Sequence, residues 1–418
     1  MLPIAILSAA CCLGGCATHK PTSRFVVNGV VPENLPIDTV VPVAVPLPAG
    51  QQEAAFWTAL VTFDNNDPVP VAAQYELGAE DSDDARVWLM LKVKREALGR
   101  PVSIAFEATE KMPACAYAVR YNARELHVAT STGSPILSYF HGTPIPGLRY
   151  PFSDYIHPII GLDGEVLTDL RPRDHIHHRG LYWAWVRQTS DGQELGSWWQ
   201  PKTVEPESGK VGFGIGPVFA WFEAHHFLTC KDKTTGTTQR FIENNVICRV
   251  FETTASGRAI DVDLEIRPTD KPVQIGGTTS MGKGYGGLTF RYGPADKVQI
   301  QADGEKLKKD GVGYQAHWAD WNGIFKQASG KANTGRSGAA VLVSPSHPNY
   351  PPTWLMRHYG VLNVAYPGLE MLEVQRETPL RLRYRLWIHR GDAEAGGVEA
   401  QYKAYTADWH WTTAAGDS

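Results

Sequence analysis

Apolar and polar positions alternate with period two over long stretches of this chain. Ala259–Arg267 (AIDVDLEIR) and Leu380–Ile388 (LRLRYRLWI) each set one face of a strand toward a core and the other toward water. Val40–Pro48 and Arg86–Val93 are Val- and Leu-rich runs of strand length cut by proline or polar turn residues. Phe219–Cys230, the polar turn Lys231–Gly236 and Gln239–Phe251 predict one long hairpin. Helical spacing is convincing only over Val398–Ala407. With 40 glycines and 29 prolines, the chain suits many short strands and tight turns. The expected fold is mainly β: an antiparallel, supersandwich-like β-sandwich over 113–418, with a smaller N-terminal β-sandwich over 25–112.

Before Phe25 the pattern changes. Residues 1–16 are apolar or small and uncharged, and they fall short of the roughly 20 apolar residues a spanning helix needs. They suit a signal peptide. Leu13-Gly14-Gly15-Cys16 resembles the lipobox of bacterial lipoproteins, which implies a leader over 1–15, acylation of Cys16 and a tether over 16–24. The lack of Lys or Arg near Met1 departs from that pattern, and an ordinary leader with a chance cysteine is the plainer alternative. Ala17 carries no inner-membrane retention signal, so the expected address is the outer membrane, on its periplasmic or surface side, with membrane contact through the lipid anchor only. No later apolar run approaches 18 residues. A net charge of −4 with both signs interspersed argues against a nucleic-acid partner. Cys230 and Cys248 flank the hairpin, but a simple turn near Thr234–Gly236 sets Cys230 opposite about Phe241, so a disulfide between them is left unassigned.

Three segments could carry chemistry. The densest runs from Tyr155 to Gly180 and holds His157 and the block Asp174-His175-Ile176-His177-His178-Arg179. If extended, it points His175 and His177 to one face and Asp174 and His178 to the other. Imidazoles so placed could act as general bases or accept a divalent metal, though no carboxylate–histidine spacing diagnostic of a metal is present and no cofactor is certain. The bland alternative is a polar loop capped by its own backbone contacts. In the second segment, Gly276–Arg291, no Gly-Lys-Ser/Thr follows the glycines, so a phosphate loop is not predicted. Its glycines instead let the backbone bend close to a ligand and present Lys283, Tyr285 and Arg291. The third joins Trp318-Ala-Asp320-Trp321 to Trp354-Leu-Met-Arg357-His-Tyr359. Aromatic planes beside Arg, His and Asp suit sugar rings, although most tryptophans simply fill cores. Thirteen Trp and 16 Tyr tilt the balance toward carbohydrate. His225-His226 has its two rings on opposite faces of a strand and reads as structural.

The order of these segments resembles the bacterial family labelled PmoA-like, a domain of unknown function. The resemblance rests on His157-Pro158, Asp174–Trp183, Lys283–Arg291, Trp318–Asp320, Trp354–Gly360 and Pro379–Gly391, and covers about residues 60–405. The stretch Gly277–Gly282 departs from the shorter acidic turn of that family. The label does not imply a membrane copper monooxygenase, which would need several spanning helices. The resemblance implies a β-sandwich protein of the polysaccharide-degrading kind.

The expected function is therefore a carbohydrate-active enzyme, a lyase, dehydratase or hydrolase, acting on oligosaccharides or polysaccharides that could contain uronate. In an elimination, Arg179, Arg357 or Lys283 would neutralise the sugar carboxylate, His177 or His178 would take the C5 proton, and Tyr285 or Tyr359 would protonate the leaving oxygen. His157, Asp174, His175, Arg291 and Trp354 are expected to contact substrate. A hydrolase would need a carboxylate pair, for which Asp174 and Asp320 are the nominees. The alternative is a glycan-binding lipoprotein without turnover.

Overall fold

Period-two alternation becomes two nine-stranded antiparallel sheets with one apolar core between them. The computed structural model describes residues 24–48, 56–64, 66–76, 85–109, 111, 113–142, 152–196, 204–231, 236–326 and 335–413. The expected leader, tether and Cys16 lie outside the described residues, apart from Arg24. The first nine-stranded sheet, here the site sheet, places Gly311–Gln315, Thr353–Arg357, Val361–Val364, Gly287–Arg291, Leu181–Ala184 and Tyr155–Ile159 side by side, followed by three strands between Tyr117 and Phe140. The far sheet is built on the predicted hairpin, Phe219–Lys231 with Thr238–Phe251, next to Arg258–Pro268 and Leu380–Arg390. A four-stranded sheet and a short helix, Val398–Tyr405, flank this sandwich.

Which residues face inward follows from their parity. Even-numbered Leu288, Phe290, Leu362, Val364, Trp354 and Met356 of the site sheet meet Ile260, Val262, Leu382 and Leu386 of the far sheet in one cluster. Burying such side chains stabilises each by about 1.5–3 kcal/mol. The odd positions of the same strands are left on the outer faces. Thr289, Arg291, Leu355, Arg357, Val361 and Asn363 therefore share the outer face of the site sheet.

The N-terminal strands form a separate seven-stranded antiparallel sheet with its own cluster around Trp57, Phe25 and Phe106, and it takes Trp411–Thr413 from the far end of the chain as an edge strand. The long hairpin pairs Cys230 with Gln239 rather than with Phe241. A bulge skips Phe241 between the Leu228–Ile242 and Thr229–Arg240 pairs, which moves the register. Cys230 and Cys248 are not joined in a disulfide, and Cys248 lies buried opposite Phe222. His226 is fully buried against Ser153, while His225 lies between Glu223 and Glu243, a structural role for both rings. Among the described residues no helix is long and apolar enough to cross a membrane.

Candidate functional site

The histidine-rich segment is not extended. His175 N–H donates to Pro172 O at 3.1 Å, His178 N–H to His175 O at 2.9 Å, and Arg171 N–H to His178 O at 3.0 Å, so Pro172–His178 closes into tight turns. Positions 175 and 178 then lie over one another, which overturns the expected pairing of His175 with His177. Their rings stack in parallel at 4.7 Å and 8°. Tyr359 continues the column on the other side of His175, at 5.1 Å and 7°. His177 stands edge-on to both imidazoles. Gly180 anchors the turn to the sheet: its φ is +66°, and a Cβ there would lie 2.4 Å from Ile156 O.

Three other segments complete a cleft of about 140 Å³ on the outer face of the site sheet. The Gly-rich segment brings Lys283 and Tyr285 to its rim. Its glycines serve close backbone packing, since a Cβ on Gly277 would sit 2.2 Å from Gly284 O. The hairpin Thr353–Arg357 to Val361–Val364 supplies Arg357 and Tyr359. His175, His177, His178, Lys283, Tyr285, Arg357 and Tyr359 are thus gathered in one place from segments far apart in sequence. Tyr182, Thr289 and Asn363 also line it and were not anticipated. Asn363 ties the walls together, its Nδ2 donating to Leu288 O and Thr289 Oγ1 at 2.9 Å each. The signal for it was present: a lone amide within the apolar run Val361-Leu-Asn-Val364, on the parity of Val361.

The electrostatics have one sign. Lys283 and Arg357 face the cleft, and among the described residues no carboxylate lines it. Asp174, the nearest acid, is already engaged: it accepts from His175 Nδ1–H at 2.8 Å and from Arg291 Nη2–H at 2.9 and 3.1 Å. Burial acts to raise its carboxyl, but the His175 and Arg291 bonds outweigh this and hold it below the usual range. Arg291 lies under the Tyr359 ring, with its Cζ 5.1 Å from the centroid. Asp310 steadies the other cation, at 3.5 Å from Arg357, while also accepting from His358. Burial, helped by neighbouring cations and imidazoles, lowers His177 to about 3 and His178 further still, so both are neutral at pH 7. Burial raises the Tyr182 phenol, and raises that of Tyr359 against the pull of Arg357 and Arg291.

Four sequence-predicted residues stand elsewhere. Trp354 is fully buried in the core, on the parity opposite to Arg357, with its Nε1–H donated to Ala316 O, so it cannot stack on a sugar. Asp320 belongs to the far sheet, is fully buried and is paired with His389 at 2.9 Å, so it cannot form a carboxylate pair with Asp174. Arg179 is 2% exposed and folds back to donate to Ile176 O and His178 O, closing the turn from below. His157 bonds Thr168 Oγ1 at 2.9 Å beside Gly180, off the cleft. Among the described residues no group of three or more His, Cys, Asp or Glu side chains is disposed to hold a metal, because the stacked imidazoles present faces rather than converging nitrogens.

A family model described as "Family of unknown function (DUF6807)" matches residues 127–403, a span that contains every cleft residue. The comparisons do not show the PmoA-like family. No curated protein matches. Two solved structures from Enterococcus faecalis are similar at 11% identity: an α-mannosidase from strain V583, with a TM-score of 0.41 over 94% of this chain and 46% of that one, and a protein in glycosyl hydrolase family 38, with a TM-score of 0.44 over 95% and 48%. The chain spans just under half the length of each, and likeness of this degree carries no argument about activity.

Proposed function

This chain belongs to DUF6807, a family of unknown function, and from the geometry of its cleft we propose that it binds an acidic sugar ring of an oligosaccharide and cleaves the chain there by β-elimination. The observation that carries this reading is the one-signed lining, with Lys283 and Arg357 present and no carboxylate among the described lining residues. A uronate would bring the missing negative charge. Hydrolysis of the usual kind needs two carboxylates flanking the bond, and the described lining of the cleft supplies neither. Elimination needs none.

Arg357 and Lys283 hold the sugar carboxylate, which acidifies the C5–H by stabilising the charge that spreads onto it. The base is His175 rather than His177. Asp174 accepts from His175 Nδ1–H, which leaves the lone pair on Nε2. His177, lowered to about 3, takes a proton too weakly at neutral pH and serves as a hydrogen-bonding partner for hydroxyls. His175 Nε2 removes the C5 proton, the C4–O bond breaks as the C4=C5 double bond forms, and the leaving oxygen takes a proton from Tyr285 or Tyr359. The products are an unsaturated uronate and a shortened chain, with no water consumed; proton return from His175 to the phenolate resets the site.

The lipobox resemblance supports an address outside the cytoplasm, reached by cleavage of the leader and acylation of Cys16. Radiolabelled palmitate should enter the wild-type protein in a bacterial host and not C16A; equal labelling of both would contradict the anchor.

Incubation of the purified protein with pectate, alginate and a glucuronan tests the reaction. Ultraviolet absorbance of unsaturated uronate should rise together with reducing ends, and Arg357→Gln should lower kcat/KM by about 10²–10³. Reducing ends without absorbance would mean hydrolysis and contradict the proposal. Binding without either signal would favour a glycan carrier.

A further inference from the structure

The far sheet has an outer face of its own, and a groove of about 600 Å³ opens where that face meets the N-terminal sheet. Odd positions of Arg258–Pro268 and Leu380–Arg390 form its floor: Asp261, Asp263, Arg383 and Arg385. Two ion pairs there are fixed and largely buried. Arg385 clamps Asp261 through Nε and Nη2 at 2.6 and 2.8 Å, and Arg249 Nη1–H donates to Asp263 at 2.8 Å. The C-terminal segment supplies an aromatic wall, in which the Trp409 and Trp411 indoles lie parallel at 5.0 Å and 3° beside Tyr405. Two buried N–H donors of groove residues, Trp411 Nε1 and Arg385 Nη1, find no acceptor among the described protein groups.

We infer that this groove is a second saccharide site, taking an acidic oligosaccharide longer than the cleft admits. Flat aromatic rings beside rigidly held donors and acceptors match the alternating C–H faces and hydroxyls of a sugar chain. The volume falls in the roughly 300–1,000 Å³ range of small-molecule sites, against about 140 Å³ for the cleft. With the two internal pairs set aside, Arg86 and Arg383 outnumber Asp408 among the described lining, so an anionic chain is favoured. A lipid would not choose so polar a floor, and a net charge of −4 gives no broad basic face for nucleic acid. Because the groove stands on the face opposite the cleft, the inference does not rest on the elimination chemistry.

Calorimetric titration of the full protein with oligogalacturonates, and with neutral xylo-oligosaccharides as the comparison, tests it. The wild type should bind the acidic probe at two sites. Trp409→Ala and, independently, Arg383→Gln should weaken one site about tenfold while leaving turnover on pectate unchanged; the glutamine variant covers the risk that removing an indole disturbs the N-terminal core. Arg357→Gln should weaken only the other site. A groove site that survives when the cleft site binds nothing would sink the cleft reading and leave this one standing. Binding lost solely in Arg357→Gln, equal affinity for the neutral probe, or no binding at all would overturn the groove.

Discussion

The Asp174–His175 pair gives the clearest residue-level distinction within the cleft. Three imidazoles lie within four positions; His175 has the Asp174 carboxylate bonded to its Nδ1, and it is also the more exposed of the two stacked rings. Replacing His175 by Ala should lower turnover about 10²–10⁴-fold while leaving binding of the acidic sugar, and His177→Gln should cost much less in turnover. Equal losses in both variants, measured as kcat and KM separately, would contradict this division. Asp320 provides the contrast. The sequence offers it as one carboxylate of a hydrolase pair, but it is a buried partner of His389. Asp320→Ala should therefore destabilise the fold by about 3–5 kcal/mol, read from denaturant unfolding, because it strands a buried charge. Nothing in the sequence marks that burial, since every residue from Trp318 to Gly323 is buried and polar–apolar alternation no longer reports a face.

At the scale of elements, strands were legible and turns were not. The hairpin Phe219–Phe251, the strands Ala259–Arg267 and Leu380–Ile388, and the helix from Val398 are found where alternation or helical spacing put them. The same parity rule could have separated Trp354 from Arg357, which lie three apart on one strand and so face opposite sides. An extended conformation of the block around His177 would set His175 and His177 on one face. Pro172 and the left-handed Arg171, at φ 55°, turn the chain instead, and the Arg179 guanidinium closes the turn through backbone oxygens. Gly180→Ala tests the anchoring of this element: with its Cβ 2.4 Å from Ile156 O, the variant should lose thermal stability and cleft binding together. Retention of both would show that the turn is not held as described.

At the scale of the whole molecule, buried histidines set the dependence of stability on pH. Burial lowers His141, His157 and His347 to about 4 and His177 to about 3, against 6.5 unfolded. The unfolded chain takes up these protons first, so their stabilisation is complete above pH 6.5 and is lost as pH falls toward 4. His225 runs the other way: its bond to Glu223 leads the causes that raise it to about 9, so its contribution is full below pH 6.5 and is lost as pH rises through 9. Thermal unfolding midpoints should peak near pH 6.5; a monotonic rise from pH 5 to 9 would contradict this balance. The two nine-stranded sheets bury one parity of residues together and leave the other on two outer faces, and the cleft is what the site sheet makes of its share. Its cationic lining is the claim on which the functional account depends. The most direct test is the ultraviolet absorbance of a polyuronate digest by wild type and by His175→Ala. The account predicts a rising signal for wild type that the variant nearly abolishes without losing affinity. Undiminished absorbance in the variant, or none from wild type on any polyuronate, would contradict it.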